Sequence, residues 1–174
     1  MCTQPQMNLM VNNTPRITRV LALDPGYDRL GVAVLERHTG KEVLLYSACI
    51  VTNREAELTK RLLEIGSALE TLLATHSPDA VAIETLFFNK NIKTAIGVAQ
   101  ARGIIIFLAQ KAGCAVYEFG PQEIKVAVTG YGKSDKNAVI DMVKRLIIGA
   151  PITALDDEYD AIAVGITALA HHGR

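Results

Sequence analysis

The stretch ITRVLALDPG, residues 17–26, is an apolar run rich in β-branched residues that ends at a Pro-Gly turn. This pattern predicts a buried β-strand whose last residue is Asp24. RLGVAVLE (29–36) and EVLLYSACIV (42–51) predict two further strands, separated by a short loop around residues 38–41. Because short connections join all three strands, the sequence predicts an antiparallel meander at the start of the fold.

The rest of the chain alternates between helical and strand patterns. Helices are predicted at 54–75, 92–112, 121–128, 134–148 and 156–171, and strands at 79–85 and 114–120. Pro121 suits the first turn of its helix, and Ser134 is the predicted cap of the next one. Since strand–helix–strand passages form right-handed parallel crossovers, we expect an α/β protein with a five-stranded mixed sheet flanked by helices. This is the shape of an RNase H-like fold.

Length and composition limit the class of protein. With 174 residues, 49% of them hydrophobic, the chain is predicted to be soluble, with one domain at 17–174 and a flexible N-terminal extension at 1–16. No apolar run approaches the ~20 residues of a membrane span, and three scattered cysteines are typical of a reduced cytoplasm. The net charge is zero, but residues 85–149 hold nine basic and four acidic side chains, which leaves room for a nucleic-acid-binding surface.

Acidic side chains end two predicted strands and begin the last helix. Asp24 and Glu84 each follow an apolar run, where an acid is rarely found unless it is paired or binds a metal. If their strands are parallel neighbours, both acids lie at the carboxyl edge of the sheet, where α/β proteins bind ligands. Asp157 and Asp160 share one helix face. The run DDEYD (156–160) is equally explained by helix capping, because Asp suits an N-cap or first turn.

Carboxylates supplied by three separate segments favour a metal site. Four clustered carboxylates cannot all ionise unless cations lie among them. Oxygen ligands select Mg²⁺ or Mn²⁺ over zinc. Two such ions about 3.5–4 Å apart would activate a water and stabilise the leaving oxygen in phosphodiester hydrolysis. We therefore expect two Mg²⁺ ions per active site, with Mn²⁺ as the alternative.

Five motifs resemble those of one nuclease family in both order and spacing. They are LALDPG (21–26), AIETLFF (82–88), QARG (100–103), FGPQEIK (119–125) and DEYDAIAVGITA (157–168). Together they are similar to the successive motifs of the RuvC Holliday-junction resolvases, over about residues 17–172. The N-terminal extension is longer than is usual for that family.

The resemblance implies roles for individual residues. It makes Asp24, Glu84, Asp157 and Asp160 the metal-binding catalytic acids, with Asp156 as a competitor for the third place. It places Lys125 and Lys136 near the scissile phosphate, although each is also explained as a solvated helix lysine. The predicted DNA-binding residues are Phe87 and Phe88, of which one is expected to pack in the core, with Lys90, Lys93 and Arg102 as phosphate contacts.

The implied activity is that of a cytoplasmic endodeoxyribonuclease that cuts four-way DNA junctions by paired symmetric nicks, in recombination and repair. The resemblance also implies a homodimer and partnership with the branch-migration proteins RuvA and RuvB. The helix around 92–108 is compatible with a dimer interface and equally with a core helix. Three alternatives stay open: a nuclease of structured RNA of the YqgF type, an actin-like ATPase or sugar kinase, and a junction-binding module without activity. The second requires another phosphate-binding Asp-Gly turn, and the third does not explain four acids.

Overall fold

The computed structural model describes residues 17–85 and 92–173, without the side chains of 92–94. It confirms the predicted five-stranded mixed sheet, with strand order β3-β2-β1-β4-β5. The strands are β1 (Arg19–Asp24), β2 (Arg29–His38), β3 (Lys41–Val51), β4 (Ala80–Glu84) and β5 (Ala115–Phe119). The first three form the antiparallel meander, and β4 and β5 extend it in parallel with β1. Residues 1–16 lie outside the described residues.

Five helices connect and cover the strands. They are α1 (Leu58–His76), α2 (Ile92–Lys111), α3 (Pro121–Thr129), α4 (Lys136–Leu146) and α5 (Asp156–His172). Pro121 is the first residue of α3, as predicted. Within the described residues, no helix is both long and apolar enough to cross a membrane.

Three predicted helix boundaries are wrong. The first helix begins at Leu58 and not at 54, because the carbonyl of Asn53 accepts a hydrogen bond from Ala56 and forms a turn. The cap of α4 is Asp135 and not Ser134, since the Asp135 carboxylate accepts from the N–H of Ala138 at 2.8 Å. The same helix ends at Leu146, before 148, because the next residues are extended and Ile148 pairs with β3.

The alternation of side chains along the strands produces two cores, one on each face of the sheet. Leu21, Leu23, Val81 and Ile83 face α1 and α2, while Ala22, Ala82 and their neighbours on the opposite face pack against α5. Small residues let α5 approach the sheet closely. Gly165 is one of them, since a Cβ there would lie 2.4 Å from a methyl carbon of Leu35.

Candidate active site

The register of the two central parallel strands brings Asp24 and Glu84 together. Leu23 pairs with Ile83, so Asp24 and Glu84 are the next residues on adjacent strands and leave the sheet on the α5 face. Burial, followed by the charge of Glu84, raises the pKa of Asp24 to about 7. Burial, followed by the charge of Asp160, raises the pKa of Glu84 to about 7. These two carboxylates therefore form an acidic pair at the carboxyl edge of the sheet, where the sequence predicted them.

The first turn of α5 brings the remaining acids to this edge. Its N-cap is Leu155, without a side-chain capping bond, so no acid of the run DDEYD serves as the N-cap. Instead, each acid is directed at a neighbouring element. Asp156 and Asp160 contact Lys136 of α4, Asp157 faces Arg29 of β2, and Glu158 accepts a hydrogen bond from Ser47 of β3. The observed contacts therefore go beyond the capping explanation of this run.

Asp157 carries a buried oxygen without a hydrogen-bond partner. Its Oδ2 is enclosed, and no described residue donates a hydrogen bond to it. The Nε of Arg29 lies 3.3 Å away, close enough for an ion pair but without hydrogen-bond geometry. Buried polar atoms are nearly always paired, so an orphan carboxylate oxygen beside other acids fits an atom that binds a cation.

Gly31 explains how the backbone of Asp157 comes so near the sheet. It is the register partner of Asp24 on β2. A Cβ at this position would lie 1.9 Å from the backbone carbonyl oxygen of Asp157, so only glycine fits there. The close approach fixes the start of α5 directly over the end of β1.

Two lysines and an apolar wall complete a cleft beside the acids. The cleft has a volume of about 200 Å³ and is lined by Glu84, Asp160, Lys125, Lys136, Pro121, Ile124, Val139 and Ala163. The Nζ of Lys136 lies 3.0 Å from Asp160 and 3.2 Å from Asp156. Burial lowers the pKa of Lys136, but the hydrogen bond to Asp160 and the nearby negative charges outweigh it and raise that pKa above its ordinary value. Lys136 is therefore a stable cation at the acidic site.

The donor set fits divalent metal ions. All four acids offer oxygen, two of them have pKa values near 7, and Asp157 has an orphan oxygen. Among the described residues, no three side chains already form a closed ligand set. In this arrangement Asp160 is paired with Lys136 and Asp157 with Arg29.

A buried network holds the turn that follows Asp24. Arg61 of α1 donates to the carbonyl of Tyr27 and the hydroxyl of Thr52, and it is paired with Asp28. Its guanidinium also lies 4.7 Å above the ring of Tyr27. That ring fills the space that a Cβ on Gly97 of α2 would occupy. The network therefore fixes the active-site turn against both helices of the opposite face.

The predicted DNA-binding residues have different outcomes. Phe87, Phe88 and Lys90 lie outside the described residues, and the side chain of Lys93 is not described. Arg102 is largely buried and makes internal contacts. It donates to the carbonyl of Glu84 at 3.0 Å and pairs with Glu118 at 2.5 Å, so in this structure it anchors the ends of β4 and β5. Its contact with phosphate stays a prediction.

Sequence reasoning missed Arg29. The signal was available, because Arg29 is five residues after Asp24, on a strand that antiparallel pairing returns to the same edge. Arg29 lies outside the basic segment 85–149, so the charge distribution of the sequence gives no sign of it.

Comparisons with known proteins identify the family of the chain. The model of the family "Crossover junction endodeoxyribonuclease RuvC" matches residues 20–168. The chain is 44% identical over 146 residues to the crossover junction endodeoxyribonuclease RuvC of Thermosipho melanesiensis, covering 84% of this chain and 93% of the relative. It is 41% identical over 152 residues to that of Petrotoga mobilis, covering 87% and 91%. Among solved structures, T. thermophilus RuvC in complex with Holliday junction substrate superposes with a TM-score of 0.84 at 28% identity, covering 90% of this chain and 95% of that one.

Proposed function

The chain belongs to the RuvC family of crossover junction endodeoxyribonucleases, and from this premise we propose that it resolves four-way DNA junctions by paired symmetric nicks in strands of like polarity. The observation that carries the proposal is the convergence of acids from β1, β4 and α5 at one edge of the sheet, beside a cleft lined by two lysines. A site with this charge arrangement suits phosphodiester hydrolysis, in which negative charge develops on oxygen.

The family is one of metal-dependent nucleases, and the donor set here supports Mg²⁺, with Mn²⁺ as the alternative. Asp24, Glu84, Asp157 and Asp160 are the residues that would hold two ions. When bound, such ions supply activation of a water molecule and stabilisation of the leaving oxygen. The two carboxyl groups whose pKa lies near 7 would be held in the ionised form by the positive charge of such ions.

The lysines and the wall of the cleft act on the phosphate. Lys125 and Lys136 both line the cleft, and each offers an ammonium group as a point charge for the negative transition state. In this structure Lys136 is held by Asp160 and Asp156. If Asp160 held a cation, its hold on Lys136 would weaken, and the ammonium group could then pair with a phosphate. Ile124 and Val139 give the cleft a water-excluding side, which strengthens these charge interactions.

The proposal is tested by incubating the protein with a synthetic mobile four-way junction and Mg²⁺, beside a linear duplex of the same sequence. We expect paired nicks on the junction and little cutting of the duplex. Asp24→Asn should bind the junction without cutting it, because the substitution removes a metal ligand and one negative charge. Cleavage of structured RNA in place of the junction would overturn the substrate and favour the RNA-processing alternative, while the metal site would stand.

We also propose a homodimer formed through α1 and α2. In α2, Ala101 and Ile105 are buried in the core, but the opposite face carries an exposed, uncharged stripe. The stripe consists of Ile96, Ala99, Gln100, Gly103 and Phe107. Leu63 of α1 lies beside Phe107 and is 70% exposed. An exposed apolar surface of this kind is typical of an interface, and a two-fold dimer would present two active sites to a two-fold junction.

Phe107→Glu should raise the dimer dissociation constant by about a hundredfold or more, because it places an unpaired charge in the interface. Sedimentation velocity measures this directly, and paired nicking of the junction should become uncoupled single nicking. The control is Ile152→Glu, at a site that is 86% exposed on the other face of the sheet. A monomeric wild type, or a Phe107→Glu variant that still dimerises, would contradict the proposed interface.

Family membership further favours cooperation with RuvA and RuvB in the cytoplasm.

A further inference from the structure

The connection between α3 and α4, the two helices that carry the lysines of the cleft, holds an exposed aromatic residue. Residues 130–135, GYGKSD, run from the helix that carries Lys125 to the helix that begins with Lys136, and both lysines line the cleft. Tyr131 in this loop is 62% exposed, and within the described residues only Phe107 is a more exposed aromatic. Tyr131 packs in neither core and is not used by the mechanism described above.

The loop is fixed by its own hydrogen bonds. The Thr129 hydroxyl donates to the carbonyl of Lys125 at 2.8 Å and accepts from the N–H of Tyr131 at 3.2 Å. The Ser134 hydroxyl donates to the carbonyl of Tyr131 at 2.8 Å, and the Ser134 N–H donates to the same oxygen at 3.1 Å. Because both backbone groups of Tyr131 are bonded inside the loop, the position from which its exposed side chain projects is fixed.

The loop also folds back along α3, against the residues that neighbour Lys125 on that helix. A Cβ on Gly132 would lie 3.3 Å from a methyl carbon of Val126 and 3.6 Å from the carbonyl of Gln122. Val126 itself is 53% exposed. Lys133 is exposed and forms no ion pair within residues 17–85 and 92–173. The one acid of the loop, Asp135, uses its carboxylate to cap α4.

We propose that this loop holds the backbone of the DNA strand next to the phosphate that is cut, with the Tyr131 ring packed on a deoxyribose and Lys133 paired with a phosphate. The inference rests on the proposed function, because it requires a nucleic acid strand in the cleft. A DNA strand that leaves the cleft past Lys125 or Lys136 would next reach the ring of Tyr131 and the unpaired ammonium group of Lys133. Such groups are the ones that contact sugar and phosphate. A protein partner would need a surface of about 800 Å² on each side, far larger than one ring and one lysine.

The test compares Tyr131→Ala, Tyr131→Phe and Lys133→Gln with the control Lys111→Gln, which changes a lysine on the opposite face of the sheet. Junction affinity is measured over a series of salt concentrations in the non-cutting Asp24→Asn background. Lys133→Gln should weaken binding several-fold and reduce the slope of log K against log salt by about one. Tyr131→Ala should weaken binding about tenfold with the slope unchanged, since a contact of roughly 60 Å² of ring is lost. Tyr131→Phe and Lys111→Gln should bind as the parent protein does.

Unchanged affinity and slope in both Tyr131→Ala and Lys133→Gln would overturn the inference, while cleavage by the wild type would leave the proposed function standing. If the wild type cuts structured RNA and not the junction, the proposed function fails. The same salt series on that RNA then decides the role of the loop. A loss of affinity in Lys133→Gln with no change in the salt slope would also contradict the inference. A structural disturbance weakens binding in this way without removing a phosphate contact.

Discussion

Asp157→Asn is expected to slow junction cleavage by about a thousandfold or more, whereas Asp156→Asn should slow it by less than about tenfold. The two residues are adjacent in sequence, and their environments differ. Asp157 has a buried oxygen without a hydrogen-bond partner and is 18% exposed. Asp156 is 61% exposed and makes only a surface ion pair with Lys136, a kind of contact that contributes little. We therefore expect Asp157, and not Asp156, to bind the metal.

The measurement is single-turnover cleavage of a radiolabelled or fluorescent junction at saturating enzyme and Mg²⁺. Binding of the junction serves as the control, and neither variant should weaken it, since each removes a negative charge near phosphate. Calorimetric titration with Mn²⁺ in the absence of DNA gives a second readout, in which Asp157→Asn should lose affinity and Asp156→Asn should not. The opposite ranking of the two variants would assign the third ligand to Asp156.

The sequence predicted most of the fold because its signals are local. Strand ends at Asp24 and Glu84 followed from apolar runs, and their meeting followed from the parallel crossover rule. The errors occur where distant parts of the chain decide. The end of α4 depends on Ile148 pairing with β3, about a hundred residues away, and this pairing leaves no periodic signal.

The sequence predicted that the acids of the candidate site lie together, but it did not predict which basic residues pair with them. The motif spacing favoured Asp157 over Asp156 as the third acid, although both suit the first turn of a helix. What the sequence could not show is the packing, in which Gly31, lacking a side chain, admits the backbone of Asp157 beside the sheet. Similarly, the sequence around Arg102 does not reveal that this side chain is paired with Glu118 inside the protein. By sequence alone it resembles a basic residue that contacts DNA. Sequence reveals which charges are present, and packing determines which of them are already paired.

In the absence of metal, the stability of the protein should fall as the pH rises from about 4 to about 7. The folded pKa of Asp24 and that of Glu84 are raised to about 7 from ordinary values of 3.8 and 4.5, so the folded state binds protons more tightly than the unfolded state in this window. Above pH 7 both carboxyl groups must ionise in a buried acidic cluster, and the full cost is present. We expect Asp24 to contribute about 1–3 kcal/mol of this cost.

Asp24→Asn removes this ionisation and should therefore stabilise the metal-free protein at pH 8 by about 1–3 kcal/mol, a rise in Tm of roughly 2–10 °C, with little effect near pH 4.5. Thermal unfolding of both proteins in EDTA at the two pH values measures the difference, in which the titration of histidines cancels. Millimolar Mg²⁺ at pH 8 should stabilise the wild type more than Asp24→Asn, because the ion binds only the folded acidic cluster. If the two proteins lose the same stability between pH 4.5 and 8, the acids are not forced together by the fold, and the metal would have to assemble the site itself.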